Sequence, residues 1–147
     1  ARDIVFGPKD LGGIGCLDMR IEAGLGAIET IVRNLQTPGH GQTIITTFLM
    51  TWQHVSGMSQ PLMEYPKVRA PHLEGHFYTY IRSYCAQHDI SIEINSINTL
   101  QPPRQFDECI MDIACQDLEI SDDDCKKIYY CKSYLQTKWK SDLMIAL

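Results

Sequence analysis

The chain of 147 residues is long enough for one domain with a buried core. Its 44% apolar and 21% charged residues are ordinary for a folded globular protein and exclude an intrinsically disordered chain. The net charge of −5 disfavours nucleic acid as the main partner, and no apolar run reaches the roughly 18 residues of a membrane span.

Apolar spacing and helix-breaking residues predict a mainly α fold, with about five helices in one irregular helical domain. This domain is expected to occupy residues 1–147 and to be part of, or derived from, a longer chain, since the sequence begins at Ala1 rather than at methionine. Residues 1–17 are predicted to be irregular, because Gly7-Pro8 and the glycines of "LGGIG" interrupt regular structure.

The first helix is predicted over residues 18–36, with Asp18 as its N-cap. Gly24 and Gly26 each weaken this helix by about 1 kcal/mol relative to alanine, which indicates close packing against a neighbour. "TPGHG" ends the helix. The apolar stripe of this helix consists of Ile21, Leu25, Ile28, Val32 and Leu35.

The second helix is predicted over residues 42–56, and it needs tertiary packing because it is rich in threonine. A proline-bearing loop is predicted over 57–71, followed by a third helix over 72–88. The inner face of the second helix is predicted to contain Ile44 or Ile45, Phe48, Leu49, Trp52 and Val55. The third helix is predicted to bury Leu73, Phe77, Tyr80, Ile81 and Tyr84.

One short strand is predicted near residues 90–95, where isoleucines alternate with polar residues. A fourth helix is predicted over 106–116, and a fifth begins at Ser121. Ser121 and Asp124 have the spacing of a capping box with aspartate in place of glutamate, and residues 122–124 complement the positive end of the helix. This helix is predicted to turn Ile128, Cys131, Tyr134 and Leu135 inward.

Three patterns that resemble catalytic or cofactor motifs have simpler interpretations. The glycines of Gly12–Gly15 lack the spacing of a phosphate loop and predict a turn. Asp122, Asp123 and Asp124 open a helix, which favours capping over a catalytic metal site. The sequence also lacks a nucleophile motif such as GxSxG. We therefore expect neither an enzyme nor a cofactor.

The six cysteines contain no CxxC pair and are predicted to be free thiols in a reducing compartment. His72, His76, Cys85 and His88 include two pairs spaced one helical turn apart, which makes them weak candidates for a zinc site. On one continuous helix these four residues would span about 24 Å, too far to meet at one ion. Exposed histidines and a core cysteine are the favoured interpretation.

The strongest functional candidate is the lysine–aromatic segment, residues 126–140. It has five lysines and no acid, whereas residues 107–124 have eight acids and no base. Lysines contact phosphates and aromatic rings stack on bases. The alternative is a solvated lysine face with aromatic rings in the core. The candidate nucleic-acid contacts are Lys126, Lys127, Lys132, Lys138, Lys140, Tyr129, Tyr130 and Trp139.

Two stretches resemble the region that follows the polymerase core in non-LTR retrotransposon reverse transcriptases of the algal-element type. They are "LGGIGCLDMRIEAGLGAIETIVRNL" (11–35) and "ISDDDCKKIYYCKSYLQTKWKSDL" (120–143). The second resembles the family pattern N-C-R-x-(Y/F)-L-Q-x-x-x-x-S-D, with Tyr130 and Lys132 in place of Asn and Arg. The resemblance implies a thumb- or connection-like helical module that holds template and primer or connects domains. The family's polymerase motif, Tyr-x-Asp-Asp, is absent from this sequence.

The sequence leaves two functions open. The first is a non-catalytic helical module, resembling a reverse-transcriptase accessory region, with weak nucleic-acid contact through residues 126–140. The second is a structural or interaction subunit of a larger protein assembly with no nucleic-acid role. Exposure of Trp139, Tyr129 and Tyr130 beside lysines favours the first, and their burial favours the second. A protein partner and an intracellular location are expected, with nucleus and organelle both left open.

Overall fold

The computed structural model describes residues 2–13, 15–16, 18–94 and 104–146. Within these ranges the chain is helical and has no strand or sheet, which confirms the mainly α prediction. The helices in chain order are α1 (Arg2–Phe6), a short 3₁₀ helix (Lys9–Leu11), α2 (Met19–Gln36), α3 (His40–Ser56), α4 (Phe77–Gln87), α5 (Ile110–Gln116), α6 (Asp122–Tyr134) and α7 (Lys140–Ala146).

Helices α2 and α3, both predicted from the sequence, pack against each other as a hairpin. Asp18 is the N-cap of α2, because its carboxylate accepts a hydrogen bond from the Arg20 amide at 3.0 Å. The turn between the helices is closed by Gln42, whose side-chain amide donates to the Leu35 carbonyl at 2.8 Å.

Helix α4 packs against α2 at Gly24. The Tyr84 hydroxyl donates to the Ile21 carbonyl at 3.0 Å, and a Cβ atom at Gly24 would lie only 2.2 Å from the Tyr84 ring. Close packing is therefore confirmed for Gly24. It is wrong for Gly26, where an added Cβ atom would meet nothing within 4 Å.

Helix α4 begins at Phe77, so the prediction of a helix from residue 72 is wrong. His76 is the N-cap, and its Nδ1 atom accepts from the amides of Tyr78 (3.2 Å) and Thr79 (3.4 Å). His72 lies before this cap in a buried turn. Phe77 and Tyr80, predicted to be internal, are about half exposed.

The predicted strand near residues 90–95 is not formed over 90–94, and residue 95 lies outside the described residues. Ile92 and Ile94 are buried, and the Ile92 amide donates to the Met63 carbonyl at 3.0 Å. This hydrogen bond does not continue into a ladder within residues 90–94. The alternating isoleucines therefore reflect an extended segment packed on the core by one side, rather than a strand in a ladder.

The predicted boundaries at both ends of the chain also need correction. Residues 1–17, predicted to be irregular, contain α1 and the 3₁₀ helix. Helix α5 begins at Ile110 rather than at Phe106, because Phe106 has a positive φ of 63° that a helix does not accept. Helix α7, which the sequence did not predict, is tied to the start of α5: Ile110 N donates to Lys138 O and Lys140 N to Glu108 O, each at 2.9 Å.

One core unites α2, α3, α4 and α5 with the loop of residues 57–76. Two arginines hold this loop through carbonyl oxygens. Arg82 is buried and donates to the carbonyls of residues 62, 65 and 68 at 3.0, 3.2 and 2.6 Å. Arg69 donates to the carbonyls of Asp117 (3.1 Å) and Ile120 (2.7 Å) and pairs with Asp122 (2.7 Å), so the loop is fastened to the α5–α6 turn.

Helix α6 faces the core with a different side from the one predicted. Cys125 and Lys132 are buried, and Ile128 is half-buried as predicted. Cys131, Tyr134 and Leu135, also predicted to point inward, are exposed. Of the helices in the described ranges, none has the length and apolar character to cross a membrane.

Candidate functional site

The lysine–aromatic segment is divided between the interior and the surface. Lys132 and Trp139 are buried, with 8% and 9% of their surface exposed. Tyr129 and Lys138 are half-buried. Lys126, Lys127, Tyr130 and Lys140 are exposed. The structure therefore does not bring the eight candidate contacts onto one surface.

Lys132 is a core side chain. Its ammonium lies 5.4 Å from the centre of the Tyr129 ring, and an added Cβ atom at Gly57 would be 2.7 Å from Nζ. Burial lowers the pKa of Lys132, and the nearby Lys138 charge adds to this effect. This lysine contacts the protein's own residues rather than solvent.

Trp139 lies close to two cations of its own chain. Arg104 and Lys138 lie 5.3 and 5.4 Å from the indole centre, within the range of a cation–π contact. Its backbone forms an isolated antiparallel bridge with Cys109. Trp139 thus helps to hold α7 against the start of α5.

The outer face of α6 keeps the exposed part of the segment. Lys126, Tyr130 and Tyr134 follow one another at intervals of four residues, so they share one helix face. Tyr130 is 63% exposed and Tyr134 is 89% exposed. The charge on this face is mixed, since Asp122, four residues before Lys126, lies on it as well.

The acidic and glycine motifs have structural roles. The Ser121 hydroxyl accepts from the Asp124 amide at 3.2 Å, which confirms Ser121 as the N-cap of α6. Gly12 and Gly15 have φ values of 86° and 74°, in the region that favours glycine. The predicted turn at Gly12–Gly15 therefore has the expected backbone, apart from residue 14, which lies outside the described residues.

The four weak metal candidates do not form a site. His76 caps α4, Cys85 is fully buried in the core, and His88 ends α4 with its ring 4.3 Å from that of Tyr84. His72 lies in the loop before α4. In the portion of the chain that the structure describes, no three His, Cys, Asp or Glu side chains are grouped to hold a metal ion.

The cysteines carry free thiols, as predicted. Cys85, Cys109, Cys115 and Cys125 are buried, and Cys16 and Cys131 are exposed. Burial raises the pKa of Cys109 to about 11 and that of Cys115 to about 12. Since the thiolate is the nucleophilic form, these two thiols are poorly suited to attack a substrate.

His72 is the centre of a small buried polar cluster. Its Nε2 lies 2.9 Å from the Ser56 carbonyl and therefore donates to it, and its Nδ1 lies 3.8 Å from the Cys115 sulfur. Burial lowers the pKa of His72, and the Lys132 and Arg82 charges act in the same direction. The imidazole is consequently neutral near pH 7 and links α3 to α5.

We expect the free energy of unfolding to fall in acid because of His72. The unfolded chain protonates this group near pH 6.5, while the folded chain protonates it only at lower pH, so stability decreases as pH drops below about 6.5. The loss ends once the folded-state pKa is passed. The free energy of unfolding should change by at most about 1.4 kcal/mol per pH unit because of this group. Urea denaturation between pH 7.5 and 5 measures this change.

The matched variant for this prediction is His72→Gln, which removes the titrating group. The variant is expected to be less stable at neutral pH. Below about pH 6.5, however, its free energy of unfolding should fall less steeply than that of the parent protein. His40→Gln, at an exposed histidine, is the control. A fall as steep in His72→Gln as in the parent protein would contradict the assignment.

A second surface was not predicted from the sequence. We name it the α3 patch, and it consists of Ile44, Phe48 and Val55 of α3 with Phe77 of α4. Phe48, Val55 and Phe77 were predicted to be core residues, and Ile44 was one of two alternatives with Ile45. The structure leaves Ile44, Phe48, Val55 and Phe77 68%, 38%, 48% and 50% exposed. The Phe48 ring is stacked on Tyr78 at 4.3 Å, and Phe77 lies edge-on to Tyr78 at 5.4 Å.

The three α3 residues of the patch lie in a long stretch without formal charge. Residues 34–63 contain no Asp, Glu, Lys or Arg. An exposed helix normally carries charged side chains on its outer face. This missing charge is the sequence signal that would have revealed the patch.

Comparisons of this chain with protein-family models, with curated proteins and with solved structures found no match.

Proposed function

We propose that this chain is a non-catalytic helical module whose function is to bind a partner protein through the α3 patch. The observation that carries the proposal is the exposed apolar face of an uncharged helix. Contiguous exposed apolar surface is typical of protein interfaces, and interface centres are depleted in charged residues and enriched in aromatic ones.

The positions of the side chains in the lysine–aromatic segment also support a protein-binding module. Trp139 is buried and Tyr129 is packed against the core, so only Tyr130 of the three diagnostic aromatic residues is exposed beside lysines. Lys132 is also buried, with its ammonium over the Tyr129 ring. These arrangements favour an interaction subunit over a nucleic-acid clamp.

Site-specific crosslinking in cells of the source organism tests this proposal. A photoreactive phenylalanine analogue at Phe48 is expected to form protein adducts, because this ring lies at the centre of the α3 patch. The same analogue at Gln87, an exposed position at the other end of α4, is the control. Equal adduct formation at both positions, or none at position 48, would contradict the proposal.

A second candidate function is weak contact with single-stranded nucleic acid, in keeping with the resemblance to a reverse-transcriptase accessory region. The observation that favours it is the exposed row of Lys126, Tyr130 and Tyr134 on α6. Aromatic stacking contributes about 1–3 kcal/mol per base, and lysine contacts to phosphate strengthen as salt falls.

Binding of single-stranded RNA and DNA at several salt concentrations tests this candidate. We expect Tyr134→Ala to weaken binding about 5-fold or more, because one base would no longer stack. Lys126→Gln should lower the salt slope by about 0.7, the value for one phosphate on a single strand. Lys67→Gln, at an exposed lysine on the loop of residues 57–76, is the charge-matched control. Absence of binding at low salt would rule this candidate out.

A further inference from the structure

The spacing of the exposed residues on α3 identifies the kind of partner that fits it. Ile44, Phe48, Thr51 and Val55 are separated by four, three and four residues, and all four are exposed. This alternation is the spacing of the a and d positions of a heptad, which forms the seam between two packed helices. The surface is therefore shaped to receive another helix.

We propose that this helix is α3 of a second copy of the chain, so that the α3 patch forms a two-fold symmetric dimer. The inference rests on the proposed function and names its partner. In a two-fold interface the same surface meets itself, and with the two-fold axis perpendicular to α3 the two helices pack in antiparallel orientation. The seam is centred between Phe48 and Thr51, and Ile44 of one copy faces Val55 of the other.

The absence of charged residues on α3 favours its pairing with a second copy. A charged residue near a two-fold axis faces its own copy and is repelled by it, and residues 34–63 have no formal charge. Two other strongly exposed apolar side chains have charged neighbours on both sides: Met19 lies between Asp18 and Arg20, and Leu118 between Asp117 and Glu119. The α3 residues of the patch are exposed and lie in an uncharged segment, so two copies can approach each other there without repulsion between like charges.

The size of the α3 patch matches the needs of a stable dimer. At side-chain areas of about 150–250 Å², the exposed parts of its four residues amount to about 400 Å². If about 57% of the interface is non-polar, the full footprint is about 700 Å² per copy, or about 1,400 Å² in total. Stable interfaces bury about 1,200–2,000 Å².

The aromatic part of the patch is held in place before pairing. Phe48 is fixed by stacking on Tyr78, and His76 packs edge-on against both Phe48 (5.6 Å) and Trp52 (5.1 Å). Rigid aromatic side chains lose little conformational freedom on association. Phe48 would therefore act as the central anchor of the dimer.

Sedimentation equilibrium of the full chain over two decades of concentration tests the dimer. We expect a concentration-dependent shift from the monomer mass of 16.7 kDa to twice that mass. Ile44→Lys should weaken self-association at least about 100-fold, because it puts a cation into the apolar seam. Leu118→Lys, a matched change at an exposed site outside the patch, should leave association unchanged. Circular dichroism verifies that each variant is folded.

A mixing experiment tests the antiparallel arrangement. Ile44→Lys and Val55→Glu should each be monomeric alone, but their mixture should form a heterodimer, because the new ammonium of one copy would then face the new carboxylate of the other. A monomeric parent chain at every concentration, or a dimer insensitive to Ile44→Lys, would overturn the inference. So would a mixture that stays monomeric.

These outcomes separate the dimer from the proposed function. If the purified chain is monomeric while the analogue at position 48 still crosslinks to a different protein in cells, the dimer is wrong and the proposed function stands. If position 48 crosslinks to nothing, the α3 patch is not a docking surface and both fail.

Discussion

Replacing Arg82 with methionine is expected to lower the free energy of unfolding by about 3–5 kcal/mol. The guanidinium is buried and donates to three backbone carbonyls, of Leu62, Tyr65 and Val68. Methionine fills similar volume but donates nothing, and each buried carbonyl left unpaired costs about 1–3 kcal/mol. In the parent protein, burial of the guanidinium is unfavourable and lowers the pKa of Arg82. The methionine variant no longer buries this charge, which offsets part of the cost.

Urea denaturation of Arg82→Met and of a surface control measures this effect. The control is Arg33→Met, which removes an exposed i,i+4 ion pair with Glu29 and should change stability by about 0.5 kcal/mol or less. Arg82→Lys should fall between the two, because one ammonium cannot reproduce the fork of the guanidinium. A loss below about 1 kcal/mol for Arg82→Met would show that the loop does not depend on this side chain.

The second large effect is expected from two glycines of α2 that differ only in what surrounds them. Gly24→Ala should destabilise the protein by about 1–3 kcal/mol, because the new methyl group would overlap the Tyr84 ring and displace its bond to Ile21. Gly26→Ala should stabilise it by about 0.5–1 kcal/mol, because the site is open and alanine favours the helix.

Thermal unfolding of both variants gives the comparison directly. The expected difference between them is about 1.5–4 kcal/mol, although each adds the same methyl group to the same helix. Tyr84→Ala combined with Gly24→Ala provides the specific check, since removal of the ring should make the added methyl group tolerable. Equal effects at the two positions would mean that α2 and α4 are not packed as described.

The helices that could be predicted from the sequence are those with strong local end signals. Asp18 starts α2 and Ser121 starts α6, both through conventional side-chain caps. The sequence predicts the start of α4 five residues too early, because histidine is not among the usual capping residues and His76 performs that role here. Helix α7 was missed because its position depends on backbone bonds to a segment about 30 residues earlier.

Local sequence could not show which face of α3 is buried. Its apolar residues cover more than half of the helix circumference, so periodicity alone allowed Phe48 and Val55 to lie inside with Leu49 and Trp52. The loop of residues 57–76 and the isoleucines of the 90–94 segment lie against Leu49 and Trp52, which are buried, whereas the other two are exposed. The same limit applies to α6, where spacing predicted a lysine–aromatic segment but could not show that Lys132 points inward.

The loop of residues 57–76 also has a consequence for the speed of folding. It joins the α2–α3–α4 group to the α5–α6 pair through contacts such as Ser59 N to Asp112 (3.1 Å) and Arg69 to Asp122, each between residues 53 positions apart. Helical proteins usually fold fast because their contacts are local, but these contacts require a long chain segment to close first. The helices of each group can therefore form early, while docking of the two groups at this loop should determine the overall rate.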